Sequence, residues 1–171
     1  MKGVIFMDLD FKGQTISTIG KPLTVGENFP DFTVLNKDNN EIKLSSLLDK
    51  PVLISVVPDI NTSVCSIQTK HFNEEIDGHS EINFVTISTN TPEEQTSWCA
   101  AENVKNMQML SDIDHDFGKK SNIWIRDLNI LARSVWVVDK NGEIIYSEIV
   151  PVQSDEPSYD RVLGQLNELV K

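Results

Sequence analysis

The pattern of hydrophobic positions in the middle of the chain predicts two buried strands with a helix between them. Residues 52–57 form an apolar run bounded by prolines, which is typical of a strand covered on both faces. Residues 82–89 carry a second run of this kind. Between the two runs, apolar side chains recur at near-helical spacing over residues 63–77, and Gly78 ends that helix.

A second helix has a well-marked start shortly after the second strand. Thr91 can cap this helix, Pro92 suits its first turn, and Glu94 stands at the capping-box position. A further short strand is predicted at residues 107–110. These signals extend the alternation of strands and helices along the chain.

The carboxyl-terminal part predicts a hairpin followed by a helix. Residues 132–138 and 143–149 flank the segment Asp139-Lys140-Asn141-Gly142, which is typical of a hairpin turn. Residues 159–170 carry apolar side chains on one helical face. The last two strands are therefore expected to be antiparallel neighbours.

The amino-terminal part adds another hairpin. Residues 5–11 alternate in polarity, and Lys12-Gly13 predicts a turn into a second strand at residues 15–19. A loop and a short strand at residues 31–35 then lead to the centre of the chain. The whole pattern predicts an α/β, thioredoxin-like fold: a central mixed sheet flanked by helices. We expect one domain over residues 1–171, with residues 1–20 as an added hairpin.

Charge and hydropathy narrow the class of protein. The chain has 26 acidic and 15 basic residues and a net charge of −11. Nucleic acids and anionic membranes bind clustered cations, so neither is expected as a partner. No run approaches the roughly 20 apolar residues of a membrane span. The amino terminus lacks the apolar core and cleavage site of a signal peptide, so we expect a cytoplasmic protein.

The two cysteines, Cys65 and Cys99, are too few for a disulfide scaffold. Composition alone favours inert burial, because free cysteine is among the most buried residue types. Cys65, however, falls in the first turn of the predicted helix 63–77, directly after a buried strand. Unpaired N–H groups and the positive helix end stabilise a thiolate at such a position. The position of Cys65 therefore indicates a reactive thiol rather than an inert buried one.

The residues around Cys65 resemble a known family. Pro58-x-x-x-Thr62-x-x-Cys65 resembles the active-site motif of the peroxiredoxins. The stretch of residues 60–73, the amino-terminal hairpin, Leu131-Ala132-Arg133-Ser134 and a second cysteine 34 residues after the first are similar to the thiol peroxidase branch. The resemblance covers nearly the whole chain. The family usually has Asp at the position of Asn61 and Arg at that of Lys70. These departures concern the fine tuning of the reaction and not the reaction itself.

The resemblance implies a role for each of five residues. Cys65 corresponds to the peroxidatic cysteine and Cys99 to the resolving cysteine, which implies an intrachain disulfide between them. Thr62 and Arg133 correspond to the residues that orient peroxide and sulfur, and Pro58 to the proline that shields the pocket. The family also implies hydrogen peroxide and organic hydroperoxides as substrates, thioredoxin as reductant, a homodimer, and no metal or other cofactor.

Other interpretations stay open at the level of the sequence. A thiol-disulfide oxidoreductase would carry C-x-x-C, which Cys65-Ser66-Ile67-Gln68 lacks. A non-catalytic redox-sensing or binding module would form a disulfide without turning over peroxide. Arg133 considered alone predicts a solvated charge at the end of a strand, and Cys99 considered alone predicts packing beside Trp98.

The remaining candidate residues carry weaker signals. The three histidines show no metal-ligand spacing with either cysteine, so we expect surface or capping roles for them. They are His71, His79 and His115. Trp124 and Ile125 are apolar residues in a polar stretch, which is typical of either core packing or a dimer contact. The dimeric state of the family favours the dimer contact.

Overall fold

The structure is a computed structural model, and it describes residues 6–169. Its strands are β1 (Asp8–Phe11), β2 (Gln14–Ser17), β3 (Thr33–Leu35), β4 (Glu41–Lys43), β5 (Val52–Val56), β6 (Asn83–Ser88), β7 (Gln108–Ser111), β8 (Trp124–Ile125), β9 (Ile130–Leu131), β10 (Ser134–Val138) and β11 (Ile144–Ile149). Its α-helices are α1 (Leu44–Leu47), α2 (Ser63–Glu75), α3 (Pro92–Glu102), α4 (Asp116–Ser121) and α5 (Tyr159–Leu169). A 3-10 turn over Ile76–Gly78 follows α2.

One seven-stranded sheet forms the centre of the molecule, in the order β11-β10-β5-β6-β7-β3-β4. Strands β5, β6 and β7 are parallel, and helices α2 and α3 make the connections between them. Strand β10 runs antiparallel to both β5 and β11, and β3 runs antiparallel to both β4 and β7. The prediction of a central mixed sheet flanked by helices is therefore confirmed.

Strand β5 is buried along its whole length because both faces of the sheet are covered. Val52, Ile54 and Val56 belong to one apolar core, while Leu53 and Val57 belong to the core on the opposite face. Residues from three helices complete the second core: Cys65 and Phe72 of α2, Trp98 of α3, and Val162 and Leu166 of α5. Helices α2, α3 and α5 therefore share the face of the sheet on which Cys65 lies.

The amino-terminal hairpin is confirmed as β1 paired antiparallel with β2. Lys12 and Gly13 form its turn with φ values of 53° and 83°, the left-handed conformation that such a tight turn requires. The start of the predicted first strand, at residue 5, lies outside the described residues. Leu9 is buried in the first apolar core, so the hairpin is packed against the body of the protein.

Helix α3 begins with the predicted capping box. The hydroxyl of Thr91 accepts a hydrogen bond from the amide of Glu94 at 3.1 Å, and the Glu94 carboxylate accepts one from the Thr91 amide at 3.4 Å. Pro92 occupies the first turn, where its missing N–H is not needed. Asn103 ends the helix in the left-handed conformation.

Several short elements were not anticipated from sequence, because at two to six residues each is too short to carry a periodic pattern. They are β4, α1, α4, β8 and β9. Helix α4 begins where the buried carboxylate of Asp112 accepts hydrogen bonds from the amides of Phe117 (2.9 Å) and Gly118 (2.8 Å). Burial raises the pKa of that carboxyl to about 7.

The expectation of a dimer contact through Ile125 is wrong, because this side chain is buried in the chain's own core. Trp124 beside it is half-buried and stacks on His115 with ring centroids 4.4 Å apart. Ile125 therefore serves internal packing, and Trp124 packs partly against the same core. In the described part of the chain, no helix is long and apolar enough to cross a membrane.

Replacing Thr91 with Ala should destabilise the protein by about 1 kcal/mol, because the amide of Glu94 loses its capping acceptor. Urea-induced unfolding would measure the change. Thr96→Ala is the matched control, since Thr96 is an exposed residue of the same helix. Equal effects of the two substitutions would contradict a specific contribution of the cap.

Candidate active site

Cys65 lies in the first turn of α2, just beyond the carboxyl end of β5. Its side chain is fully buried and carries a free thiol. The Thr69 hydroxyl, one turn later, donates a hydrogen bond to the carbonyl of Cys65 at 2.8 Å. The sequence therefore predicted the position of this thiol correctly, at a strand-to-helix junction and at the amino end of a helix.

Thr62 precedes α2 in an extended conformation, but its side chain does not cap the helix. Its hydroxyl instead donates a hydrogen bond to the carbonyl of Asp59 at 3.0 Å. The amide of Ile60 in the same loop donates to the Asn90 side chain at 2.9 Å, and Pro58 at the start of the loop is buried. Thr62 is exposed, and its hydroxyl is bonded within the loop.

Arg133 is brought to Cys65 by the pairing of β10 with β5. Ser134, the first residue of β10, lies opposite Val56, the last residue of β5. The residue before β10 and the loop after β5 are therefore neighbours. The guanidinium donates from Nη2 to the sulfur of Cys65 at 3.3 Å. Arg133 is only 3% exposed, so the solvated charge suggested by its position alone is not observed.

Gln68 connects the same guanidinium to the centre of the sheet. Its Oε1 accepts a hydrogen bond from Nη1 of Arg133 at 3.0 Å, and its Nε2 donates to the hydroxyl of Ser55 at 2.8 Å. The sequence reasoning missed this residue. The available signal was a polar side chain three residues after Cys65, a spacing that places both on one helical face.

Gln153 binds the other side of Arg133. Its main-chain carbonyl oxygen accepts from Nε of the guanidinium at 2.7 Å. Its side-chain oxygen Oε1 accepts from the main-chain amide of Arg133 at 2.6 Å. Gln153 was also missed by the sequence reasoning. It lies in an irregular segment 20 residues after Arg133, where no periodicity or motif marks it.

The partners of the guanidinium are neutral oxygens and one sulfur. Within residues 6–169, Arg133 forms no ion pair with a carboxylate. Nearby, Tyr159 stacks on His71 with ring centroids 3.7 Å apart. Burial raises the pKa of Tyr159 well above its ordinary value, and the charge of Arg133 opposes that rise. The positive charge of Arg133 is thus left to act on the sulfur beside it.

Cys99 lies in the body of α3 and is half-buried, with a free thiol. Burial raises the pKa of this thiol above its ordinary value. The thiol lines a cavity of about 400 Å³ together with Gln95, Met107 and Met109. The structure thus brings Arg133 into contact with Cys65, whereas Cys99 is not bonded to Cys65.

The two departures from the family pattern lie at the rim of the site. Lys70 forms an ion pair with Glu102 at 3.2 Å and so joins α2 to α3. Both side chains are about 40% exposed, and such a pair contributes little to stability. The Asn61 side chain donates to Asp59 at 3.2 Å within the loop. In the described residues, no group of three or more side chains could hold a metal ion.

Comparison with known proteins gives consistent matches. The family model described as Redoxin matches residues 24–163. The thiol peroxidase of Bacillus subtilis is 38% identical over 165 residues, which are 96% of this chain and 99% of that protein. The thiol peroxidase of Listeria innocua is 44% identical over 154 residues, or 90% of this chain and 93% of that protein.

The solved structures agree with these sequence matches. A peroxiredoxin-like protein from Aquifex aeolicus superimposes with a TM-score of 0.89 at 31% identity, over 96% of this chain and 99% of that chain. A thioredoxin-like fold with relatives of this kind defines a thiol-dependent peroxidase. The chain belongs to the Redoxin family, in its thiol peroxidase branch of the peroxiredoxins. A peroxide substrate and a thiol reductant follow from that membership.

The raised pKa of Cys99 generates a prediction about its reactivity. Burial disfavours the charged thiolate, so deprotonation should require a higher pH in the folded protein than in the unfolded chain. In a Cys65→Ser variant Cys99 is the sole thiol, and its alkylation by iodoacetamide can be followed against pH. The midpoint should be higher in the folded protein than in urea. Coincident profiles would show that Cys99 is not held in a desolvated environment.

Proposed function

We propose that Cys65 is the nucleophile of this peroxidase and that its substrates are hydrogen peroxide and organic hydroperoxides. The Cys65 thiolate attacks the outer oxygen of ROOH, the O–O bond breaks, and the leaving oxygen takes up a proton to give ROH. The sulfur is left as a sulfenic acid. The observation that carries this proposal is the 3.3 Å contact between the sulfur and the buried guanidinium of Arg133.

Charge stabilisation at the breaking O–O bond is the main source of the rate in this proposal. For a thiol, lowering the pKa from about 8.5 to about 6 gains roughly tenfold in thiolate at neutral pH, but nucleophilicity falls by a similar factor. Thiolate population alone therefore gives little acceleration. Donors aimed at the developing oxyanion are worth about 10²–10³ each. The Cys65 amide and the Arg133 guanidinium are the donors we assign. The Thr62 hydroxyl joins them when it turns from the Asp59 carbonyl to the bound peroxide, and buried Pro58 shields the pocket.

Cys99 of the same chain resolves the sulfenic acid. Its thiolate attacks the Cys65 sulfur, water leaves, and an intrachain disulfide forms. A disulfide requires Cα atoms within about 7 Å, whereas neighbouring helices pack about 8–10 Å apart, so segments around both cysteines unwind. The surroundings of Cys99 support this motion, because its thiol is only half-buried and the residue lines a cavity of about 400 Å³.

Thioredoxin is the reductant in this proposal, and it returns the disulfide to two thiols. The protein acts in the cytoplasm as a homodimer, with the whole chain forming one domain. It needs no metal, haem or flavin, because the two cysteines carry both electrons. The net charge of −11 supports the absence of nucleic acid or membrane as a partner.

Peroxide consumption with thioredoxin, thioredoxin reductase and NADPH tests the roles of the two cysteines. Cys65→Ser should abolish turnover while preserving the fold, because serine is nearly isosteric but a far weaker nucleophile. Cys99→Ser should consume one equivalent of peroxide and then stop. Loss of a nucleophile lowers the rate by far more than tenfold. If Cys65→Ser kept more than about a tenth of the wild-type rate, Cys65 would be rejected as the nucleophile.

Gel analysis and amide exchange provide the accompanying controls. Oxidised wild-type protein should contain an intrachain disulfide and no reducible dimer. Amide exchange over residues 62–68 and 95–103 should be faster in the disulfide form than in the reduced form. A peroxide-induced interchain disulfide would contradict resolution by Cys99 of the same chain.

Arg133→Ala should slow the oxidation of Cys65 by about 10²–10³, the range for loss of one transition-state donor. Arg133→Lys should recover only part of the rate, because an ammonium cannot reproduce the planar fork. Stopped-flow oxidation at several pH values separates lost thiolate from a lost contact with the leaving oxygen. A normal rate for the Ala variant at saturating thiolate would remove Arg133 from the mechanism.

A further inference from the structure

The segment of residues 150–153 surrounds Arg133 and binds its main chain as well as its side chain. The Val150 amide donates to the Arg133 carbonyl at 3.0 Å, and the Arg133 amide donates to Oε1 of Gln153 at 2.6 Å. The main-chain carbonyl of Gln153 accepts from Nε of the Arg133 side chain at 2.7 Å. Three hydrogen bonds therefore tie Arg133 to this segment.

Every polar group of Gln153 is used in this arrangement. Its main-chain carbonyl and its side-chain Oε1 accept hydrogen bonds from Arg133. Its side-chain Nε2 donates to the Val150 carbonyl at 2.7 Å, and its main-chain amide donates to the Asp10 carbonyl at 2.8 Å. The residue is 1% exposed. A glutamine with all four groups bonded in the interior has a single orientation, which it transmits to its partner.

The amino-terminal hairpin holds the segment from outside. Asp10 of β1 donates its amide to the Pro151 carbonyl at 2.9 Å and accepts from the Gln153 amide. The two segments thus meet in one parallel β-bridge, with Asp10 opposite Val152. A continuous series of hydrogen bonds runs from the hairpin through Gln153 and Arg133 to the sulfur of Cys65.

We infer that Gln153 is a positioning residue for Arg133 and that the amino-terminal hairpin supports the active site by holding Gln153. This inference rests on the proposed role of Arg133 in the oxidation of Cys65. The bond from Nε sets the plane of the guanidinium, and that plane determines where Nη2 points. Misplacement of a catalytic group by about 1 Å can cost 10²-fold in rate, so loss of this support should slow the oxidation of Cys65.

Gln153→Met tests the inference while nearly preserving length and volume. It keeps the main-chain carbonyl that binds Nε of Arg133, but it removes Oε1 and Nε2, whose bonds to the Arg133 amide and the Val150 carbonyl hold that main-chain carbonyl in place. Oxidation of Cys65 by peroxide, followed by stopped flow, should slow roughly 10- to 100-fold. Gln95→Met is the matched control: Gln95 is equally buried and donates two hydrogen bonds, but to Ser88 and Leu110. Oxidation of Cys65 at the wild-type rate is expected for the control.

Two further readouts separate positioning from a general loss of structure. The later phase, in which Cys99 attacks the oxidised sulfur, should keep its wild-type rate in Gln153→Met. The double variant Arg133→Ala/Gln153→Met should oxidise no more slowly than Arg133→Ala alone, because Gln153 acts only through Arg133. Additive losses in the double variant, or slowing of both phases together, would overturn the positioning role.

Asp10→Pro tests the contribution of the hairpin. Proline removes the N–H that binds Pro151 but is tolerated on an edge strand. It should slow the oxidation of Cys65 several-fold, whereas Asp8→Pro should not. Asp8 lies on the same edge of β1, and its amide makes no bond to the segment of residues 150–153.

The outcomes distinguish failure of this inference from failure of the proposed function. A normal rate for Arg133→Ala would reject the role assigned to Arg133 itself. A slow Arg133→Ala together with a Gln153→Met that matches the Gln95→Met control would leave that role intact and overturn the positioning by Gln153. Equal rates for Asp10→Pro and Asp8→Pro would overturn the part assigned to the hairpin.

Discussion

In the described residues 6–169 no carboxylate pairs with the buried guanidinium of Arg133, and the arrangement of the site depends on the hydrogen bonds that stabilise this charge instead. A charge in a protein interior costs several kcal/mol unless hydrogen bonds replace its hydration. Here two glutamines and the sulfur of Cys65 supply those bonds. A carboxylate partner would neutralise the field at the sulfur. Neutral acceptors bond each of the three nitrogens and leave the charge directed at Cys65.

This arrangement requires distant parts of the chain to meet at one end of the sheet. The pairing of β10 with β5 brings Arg133 beside the loop that leads to Cys65. Helix α2 contributes Gln68, and the segment after β11 contributes Gln153. The extended sheet therefore acts as a rigid frame, which is the support that a preorganised site needs.

The two cysteines differ in how completely their surroundings enclose them. Cys65 is fully buried beside Arg133, whereas Cys99 is half-buried in α3 and lines a cavity. A closely packed environment suits the proposed oxidation step, which depends on aligned donors. A half-buried thiol beside a cavity suits the proposed resolving step, in which Cys99 must move to its partner. The same face of the sheet carries both environments, separated by β6.

Local patterns in the sequence determined the main elements and the position of the Cys65 thiol at a helix start. Apolar runs located β5 and β6, the Thr91-Pro92-Glu94 pattern located the start of α3, and Cys65 was identified at the amino end of α2. Tertiary structure alone decided the bonding of Arg133, the roles of Gln68 and Gln153, and the position of Ile125. These features depend on contacts between residues 20 to 68 positions apart along the chain or on burial by distant segments. Periodicity and capping report only neighbours within a few residues, so they do not encode such contacts.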